Sequence, residues 1–225
     1  MKTKIAAVFM LCIYMFLTPG FQCGHPRECT DFTTDTSYLP FHIPNSVPVF
    51  HVGDSVKLAS VISDTVYSTT GQQFVTDFFR LTAGIQAYKV SFNGSIPQLN
   101  YANNEFNAYI STGAFDNSYG SGYAIIYQRQ QPYNRLSASL VPGQPGLYIV
   151  TVGIGEYAGT SNYGYYINNG RDLCKTHIGE LLIPAAEMQK QYWDSLGVSS
   201  LALSNSSYYT VQKNDANYFF MKVLP

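Results

Sequence analysis

Charged side chains are scarce in this chain of 225 residues, since Asp, Glu, Lys and Arg together make up 12% of it. An average soluble domain has roughly 25%. The 13 basic and 14 acidic residues nearly cancel, giving a formal net charge of -1. Without a basic excess, the chain lacks the charge pattern that holds phosphate backbones. We therefore expect no nucleic-acid partner.

Sequence motifs for common catalytic and cofactor sites are also missing. The chain has no Walker motif, dinucleotide fingerprint or EF-hand loop. Gly120-Ser121-Gly122 lacks the G-x-S-x-G spacing of a nucleophile elbow. Apart from His25 beside Cys23, no histidine has another His or Cys at zinc-ligand spacing. We expect no metal, no cofactor and no catalytic residue. The four histidines are His25, His42, His51 and His177.

The first residues have the pattern of an export signal. Lys2 and Lys4 precede the uncharged apolar run Ile5 to Leu17, and Thr18-Pro19-Gly20 follows it. The run is shorter than the roughly 20 residues that a membrane span needs. We expect residues 1–22 to be a signal peptide and the mature chain to have no transmembrane span. Loss of the two lysines changes the formal net charge from -1 to -3.

Cysteine is rare, and an odd number remains after the leader. Cys12 belongs to the signal, which leaves Cys23, Cys29 and Cys174. An odd cysteine in an exported chain requires modification, an intermolecular bridge or a free thiol. Lipidation of Cys23 would attach the chain to a membrane and leave Cys29 and Cys174 to form a disulfide. The alternative is cleavage near Gly20, with Cys23 and Cys29 closing a short loop.

The remaining sequence is typical of an all-β protein. Short β-branched and aromatic runs alternate with Gly, Asn and Pro turn signals, and we assign residues 41–225 to a single β-sandwich. Residues 23–40 lack periodicity and are predicted to be a flexible tether. One short helix is predicted over residues 185–196, because Pro184 precedes it and Gly197 follows it. The candidate strands are 41–44, 47–52, 56–62, 74–81, 86–92, 106–111, 123–131, 135–140, 147–154, 178–183, 208–211 and 218–223.

The most strand-like run is residues 147–154, which we predict to be a central strand. Gly146-Leu147-Tyr148, at the start of this run, resembles the tyrosine corner of immunoglobulin-like sandwiches, in which a tyrosine hydroxyl bonds to upstream backbone. Val150 stands where an immunoglobulin domain has cysteine. The resemblance therefore implies an immunoglobulin-like antiparallel sandwich without the inter-sheet disulfide.

A wider resemblance covers most of the mature chain. The leader with its early cysteine, 52–58 (VGDSVKL), 145–148 (PGLY), Cys174 and the terminal run 218–223 (YFFMKV) resemble a group of uncharacterised exported proteins and lipoproteins from Bacteroidota. This resemblance implies an all-β domain in the periplasm or at the bacterial outer membrane and cell surface. It supplies no catalytic residues.

A tract rich in Gly, Asn and Tyr follows the central strand. Tyrosine rings beside amide groups are typical of glycan-binding and protein-binding loops. We therefore predict a non-enzymatic envelope protein, either a binding module or a structural one. Its partner would be a glycan or an envelope protein. The alternative is that the rings pack along the sandwich edge. The candidate ligand-binding residues are Tyr157, Asn162, Tyr163, Tyr165, Tyr166 and Asn168.

A polysaccharide hydrolase is the alternative from a different class. Such enzymes use two carboxylates that the fold brings to about 5 to 10 Å from each other. Sequence spacing does not reveal that separation. Glu156, Asp172 and Glu180 are the acids to test for this activity.

Overall fold

Strands account for most of the described residues in the computed structural model. It describes residues 33–47, 49–75, 81–115, 122–155, 165–166, 175–204 and 209–225. The first nine strands are β1 Thr33–Pro40, β2 Val49–His51, β3 Val56–Ser63, β4 Thr65–Tyr67, β5 Gln73–Val75, β6 Thr82–Asn93, β7 Ile96–Tyr101, β8 Phe106–Thr112 and β9 Ala114–Phe115. The next nine are β10 Tyr123–Ile126, β11 Gln128–Gln130, β12 Tyr133–Pro142, β13 Gly146–Gly155, β14 Tyr165–Tyr166, β15 Lys175–Leu182, β16 Ser200–Ala202, β17 Thr210–Gln212 and β18 Tyr218–Leu224.

The described strands form two larger sheets and three smaller ones. The largest sheet has the order β2-β18-β13-β6-β10-β9, and β7 pairs with β6. In the second sheet, β12 lies between β3 on one side and β8 and β11 on the other. A third sheet has the order β1-β15-β14, and the pairs β16-β17 and β4-β5 complete the set. All these pairings are antiparallel except β1 with β15 and β18 with β2.

The two larger sheets share one hydrophobic core. Strand β3 alternates buried and outward residues, and its buried set includes Val56, Leu58 and Ile62 as the period-two pattern predicts. Phe106 on β8 contacts Tyr148 on β13 edge to face, with ring centroids 4.9 Å apart. These contacts join the sheets, so the prediction of an all-β sandwich-like fold is confirmed.

Strand β13 is central, as its sequence predicts. It pairs with β18 along one edge and β6 along the other. Tyr148, Ile149 and Val150 are each 0% exposed, so both faces of the strand are covered. The sheet therefore packs against the second sheet on one face and against further elements on the other.

The helix is shorter than predicted. Residues 185–191 form turns, and the α-helix covers only Tyr192–Leu196 before the left-handed Gly197. Gln189 has a φ of 54°, which a continuous helix does not allow. Instead, the Met188 carbonyl oxygen accepts a 3.0 Å hydrogen bond from the Phe220 backbone N–H. The turn thereby satisfies a donor on the edge of β18.

The end of the predicted tether is part of the fold. Residues 33–40 form β1, whose pairing with β15 runs from Thr33 opposite Lys175 to Pro40 opposite Leu182. Leu39 is 3% exposed. This polar segment has no local sequence signal for a strand. Its pairing with β15 and the burial of Leu39 make it part of the fold. Residues 33–225 form one compact unit.

The segment at 41–44, predicted as an edge strand, makes only an isolated bridge between His42 and Ala59. Phe41 and Ile43 are nevertheless buried. The Ile43 backbone N–H donates to the Glu187 carboxylate, which lies in the turn before the helix. None of the helices in the described ranges has the length and apolar character to cross a membrane.

Candidate functional site

A cleft of about 710 Å³ opens beside the C-terminal end of β13 and the connection from β17 to β18. Its walls combine tyrosine rings, amide and carboxylate groups with aliphatic side chains. The lining residues are Tyr38, residues 151–154, residues 180–182, residues 209–211 and residues 214–217.

Backbone hydrogen bonds hold the turn that forms one wall of the cleft. The Val152 N–H donates to the Asn217 carbonyl oxygen at 2.8 Å, which ties the turn to β13. The Ile183 N–H donates to the Ala216 carbonyl oxygen, also at 2.8 Å, just after β15 ends. Within the turn, a carboxylate oxygen of Asp215 accepts a 2.8 Å bond from the Gln212 backbone N–H. The described walls are therefore preformed.

Two tyrosines line the cleft in different environments. Tyr209 is partly buried, and its ring stacks on Tyr88 with centroids 5.2 Å apart. Its hydroxyl donates to Thr151 Oγ1 at 3.4 Å, and burial raises the pKa of that hydroxyl. Tyr38 on β1 is 55% exposed. Tyr209 thus belongs to the wall, whereas the ring of Tyr38 is available to a ligand.

The charges of the described cleft walls are all negative. Glu180 is exposed on β15, and Asp215 lies in the turn opposite. No Lys, Arg or His is among the described residues that line the cleft. Carboxylates repel anions and accept hydrogen bonds from hydroxyl and ammonium groups. The chemistry of these walls suits an uncharged polyol or a cation.

Space inside the cleft depends in part on Gly153. A Cβ at this position would have no atom within 4 Å. The residue pairs across the sheet with Gly84, so two positions without side chains lie side by side. A side chain introduced at Gly153 would enter open space, which makes this position a direct probe of the cleft.

Most residues predicted for the site lie outside the described part of the structure. Tyr157, Asn162, Tyr163 and Asn168 are outside it, and for Tyr165 and Tyr166 only the backbone is described, as strand β14. Cys23, Cys29 and Cys174 and the acids Glu156 and Asp172 are likewise outside it. These assignments therefore stay predictions.

The described residues nevertheless connect the predicted tract with the cleft. Ile154 lines the cleft directly before β13 ends at Gly155. Strand β15, which begins at Lys175, contributes Glu180 to another part of the lining. The Gly, Asn and Tyr tract thus starts from one strand of the cleft and ends at another. Of the three predicted acids, Glu180 is in the described part of the structure, and it lines the cleft.

Sequence reasoning missed the other polar residues of the cleft. Asn214, Asp215 and Asn217 are not among the predicted site residues, and Tyr38 falls in the predicted tether. The turn has a recognisable local signal, but its position against β13 and β15 depends on long-range hydrogen bonds.

A separate group of polar residues joins the two larger sheets. The Lys89 ammonium lies 2.8 Å from Glu105 Oε2, and the Tyr148 hydroxyl donates to the same oxygen. Burial and the adjacent Glu105 carboxylate raise the pKa of Tyr148. The three side chains satisfy one another, which is the behaviour of a structural network. In the ranges that the structure describes, no cluster of three or more His, Cys, Asp and Glu side chains is positioned to hold a metal ion.

The fold and cleft define an all-β protein with a preformed acidic cleft among its described residues. Comparison of the chain with protein-family models, curated proteins and solved structures gave no match.

Proposed function

We propose that this chain is a non-enzymatic binding module of the cell envelope and that its cleft binds an uncharged glycan. The observation that carries the proposal is the combination of the exposed Tyr38 ring with two carboxylates and no base among the described residues of the lining. A sugar ring stacks on an aromatic face, and its hydroxyls donate to carboxylate and carbonyl oxygens. The uncharged ligand avoids the repulsion that an anion would meet.

The position of the predicted loop supports the same proposal. The tract with Tyr157, Asn162 and Tyr163 leaves the described structure after Gly155, next to the cleft-lining Ile154. Binding loops are commonly carried by rigid strands that fix their ends. Here β13 and β15 supply those ends. We propose that the tract extends the binding surface of the cleft.

The test fills the cleft without removing any existing side chain. Binding of the purified exported chain is screened on an array of neutral glycans and then measured by calorimetry with the best ligand. Gly153→Leu is expected to weaken binding by at least about tenfold, equivalent to 1.4 kcal/mol. Gly153→Ala is the matched control and is expected to retain the parent affinity within about twofold.

Two results would contradict the proposal. One is the absence of neutral-glycan binding by the parent chain. The other is unchanged affinity in Gly153→Leu, since that side chain enters open space within the cleft. A further variant, Tyr38→Ala, is expected to lose affinity through the stacking contact, while Tyr67→Ala removes a tyrosine that does not line the cleft and leaves affinity unchanged.

Hydrolysis of a surface polysaccharide is a second candidate function. One observation favours it: Glu180 and Asp215 line the same cleft. Asp215 already accepts a hydrogen bond from the Gln212 backbone N–H within its turn. This carboxylate therefore has a structural role. If the cleft is catalytic, the parent chain releases reducing ends from a bound polymer and Glu180→Gln abolishes that release. If the chain is a binding module, no reducing ends appear.

The remaining assignments are proposals about the exported chain. We propose an envelope location with Cys23 either lipidated or bridged, and a disulfide between Cys29 and Cys174 in the lipidated form. Intact-mass measurement of the protein from its native host distinguishes these forms, because a lipid adds mass and a disulfide removes two hydrogens. The immunoglobulin-like assignment is supported by the Tyr148 hydroxyl, which lies 3.1 Å from the Gln144 carbonyl oxygen.

A further inference from the structure

The outer face of the second sheet has the opposite chemistry to the cleft. Outward and inward residues alternate along its strands, and the outward ones are exposed or half-buried. We name this surface the β12 face. Its residues are Lys57, Ala59, Val61 and Ser63 on β3, Tyr133, Arg135, Ser137 and Ser139 on β12, and Tyr109 and Ser111 on β8.

The strand register arranges the larger polar residues in two rows across the sheet. In the first row, Ser139 lies between Tyr109 on β8 and Lys57 on β3. In the second row, Arg135 lies between Gln128 on β11 and Val61 on β3. Residues 135 and 139 of β12 are four positions apart, which separates the rows by about 14 Å at the rise of an antiparallel strand. Each row therefore carries one cation.

Two tyrosine rings are exposed on this face. Tyr109 is 60% exposed and Tyr133 is 40% exposed. The guanidinium of Arg135 lies over the Tyr133 ring, with 5.5 Å between its central carbon and the ring centroid. This contact holds the guanidinium near the sheet surface. Between the rows the side chains are short, because Ala59 and Ser137 are directly paired across the strands.

The face contains no carboxylate on its own strands. Neither Asp nor Glu occurs in β3, β8, β11 or β12. The acid that follows β3, Asp64, is 17% exposed in its side chain and lies 3.5 Å from Arg129. Arg129 is paired with the buried Asn134, on the side of the strands away from Arg135. The two cations of the β12 face are thus on a locally basic surface of a chain whose net charge is -1.

We propose that the β12 face binds an extended acidic polysaccharide along β12. Uronate carboxylates would pair with Arg135 and Lys57, and sugar rings would stack on Tyr109 and Tyr133. Guanidinium groups pair with carboxylates through two parallel hydrogen bonds, which gives the contact geometric specificity. The hydroxyls of Ser137 and Ser139 lie between the cations and match a polymer rich in hydroxyl groups. The inference is independent of the proposed function, because the cleft uses other strands and other residues.

The cleft and the β12 face differ in charge, and this difference determines which ligand each surface binds. The cleft has acids and no base in its described lining, whereas the β12 face has bases and no acid on its strands. An acidic polymer is repelled by the first and attracted by the second. Attraction between exposed charges is screened over about 8 to 10 Å at moderate salt, so binding to the β12 face must weaken as salt rises.

The test measures binding of the full exported chain to polygalacturonate by affinity electrophoresis and calorimetry. The double variant Lys57→Gln with Arg135→Gln is expected to weaken binding by at least about tenfold. Lys222→Gln is the matched control, because Lys222 is exposed on β18 in the other large sheet, and it is expected to stay within about twofold of the parent. Raising the salt concentration should weaken polygalacturonate binding by the parent far more than binding by the double variant.

Two further measurements separate sugar recognition from charge alone. Tyr109→Ala keeps both cations and is expected to weaken polygalacturonate binding several-fold through loss of stacking. Vesicles containing phosphatidylglycerol present negative charge without sugar rings and are expected to bind weakly. Equal binding of polygalacturonate by parent and double variant would overturn the proposal. Equally tight binding of the vesicles would overturn it too, since the surface would then recognise charge alone.

The test of the β12 face and the test of the cleft give different results in the variants. Gly153→Leu is expected to lose binding of the neutral glycan and to retain binding of polygalacturonate. The Lys57→Gln with Arg135→Gln variant is expected to do the reverse. Loss of polygalacturonate binding in Gly153→Leu would assign the acidic polymer to the cleft and contradict the inference.

Discussion

The hydroxyl of Tyr148 lies 3.1 Å from the carbonyl oxygen of Gln144, four residues before it in the chain. The same hydroxyl reaches the Glu105 carboxylate, which also binds Lys89. The hydroxyl oxygen of Tyr148 thus takes part in a local contact with Gln144 and a long-range contact with Glu105. Because Glu105 precedes β8 and Tyr148 belongs to β13, this hydroxyl links the two larger sheets at the start of the central strand.

The first prediction concerns this link. Tyr148→Phe keeps the buried ring against Phe106 and removes only the hydroxyl. Glu105 then loses a donor, and we expect the free energy of unfolding to fall by about 1 to 3 kcal/mol. Urea unfolding measures the change. Tyr109→Phe removes an exposed hydroxyl and should change stability by less than about 0.5 kcal/mol. Equal costs in the two variants would contradict a structural role for the Tyr148 hydroxyl.

A second prediction concerns alkaline pH and Tyr127. Burial raises the pKa of the Tyr127 hydroxyl well above its ordinary value of 10.0, and the hydrogen bond to Ser60 offsets only part of that effect. Above pH 10 the unfolded chain loses this proton while the folded chain keeps it. Stability from this group is therefore complete below pH 10 and falls as pH rises toward the folded pKa.

The measurement compares unfolding free energy at several pH values between neutrality and strong alkali. Tyr127→Phe should show a shallower decline above pH 10 than the parent, since it has no hydroxyl to ionise. Tyr67→Phe, which removes an exposed tyrosine hydroxyl, serves as the control and should follow the parent profile. Parallel profiles for parent and Tyr127→Phe would contradict the prediction.

Local sequence pattern was sufficient for much of the fold. Strand β3 combines a tight turn at Gly53 with alternating burial, and β13 combines a turn with a β-branched run. In both, neighbouring residues determine the backbone and one face must be buried. Period-two pattern and turn chemistry therefore predict these strands and the sandwich-like architecture.

The predictions that were wrong concern segments whose structure depends on contacts with residues distant in the sequence. The segment at 33–40 has no apolar period, yet pairing with β15 makes it a strand. The helix predicted from residue 185 is interrupted because Gln189 adopts a left-handed conformation and the Met188 carbonyl oxygen bonds to Phe220. The cleft was missed for the same reason. Its walls come from separate strands, and no sequence spacing measures the distance between them.

A third prediction concerns the covering of the large sheet by the short helix. The Trp193 indole N–H donates to the Tyr218 hydroxyl at 2.6 Å, and both side chains are at most 1% exposed. Tyr218→Phe leaves that N–H without its buried acceptor, so we expect a loss of about 1 to 3 kcal/mol. Trp193→Phe removes the donor and some ring volume.

The double variant tests whether the two residues act together. If the hydrogen bond couples them, Trp193→Phe with Tyr218→Phe costs less than the sum of the single losses by about 0.5 to 3 kcal/mol. Denaturant unfolding of the four proteins completes the cycle. Strict additivity would show that each residue contributes through packing alone, against this prediction.

The last prediction separates a steric effect from backbone strain at two glycines. Gly53 has a φ of 91° and Gly113 a φ of 110°, so alanine is conformationally strained at both. A Cβ at Gly113 would lie 2.5 Å from the Ile126 carbonyl oxygen, whereas a Cβ at Gly53 would have no atom within 4 Å. Gly53→Ala should therefore cost only the strain, on the order of 1 to 2 kcal/mol. Gly113→Ala should cost a further 1 to 3 kcal/mol or so, because the connection from β8 to β9 must move away from β10, which pairs with β9, to relieve the contact. Thermal and urea unfolding of both variants measure the difference, and equal losses would place the carbonyl of Ile126 farther from Gly113 than the structure does.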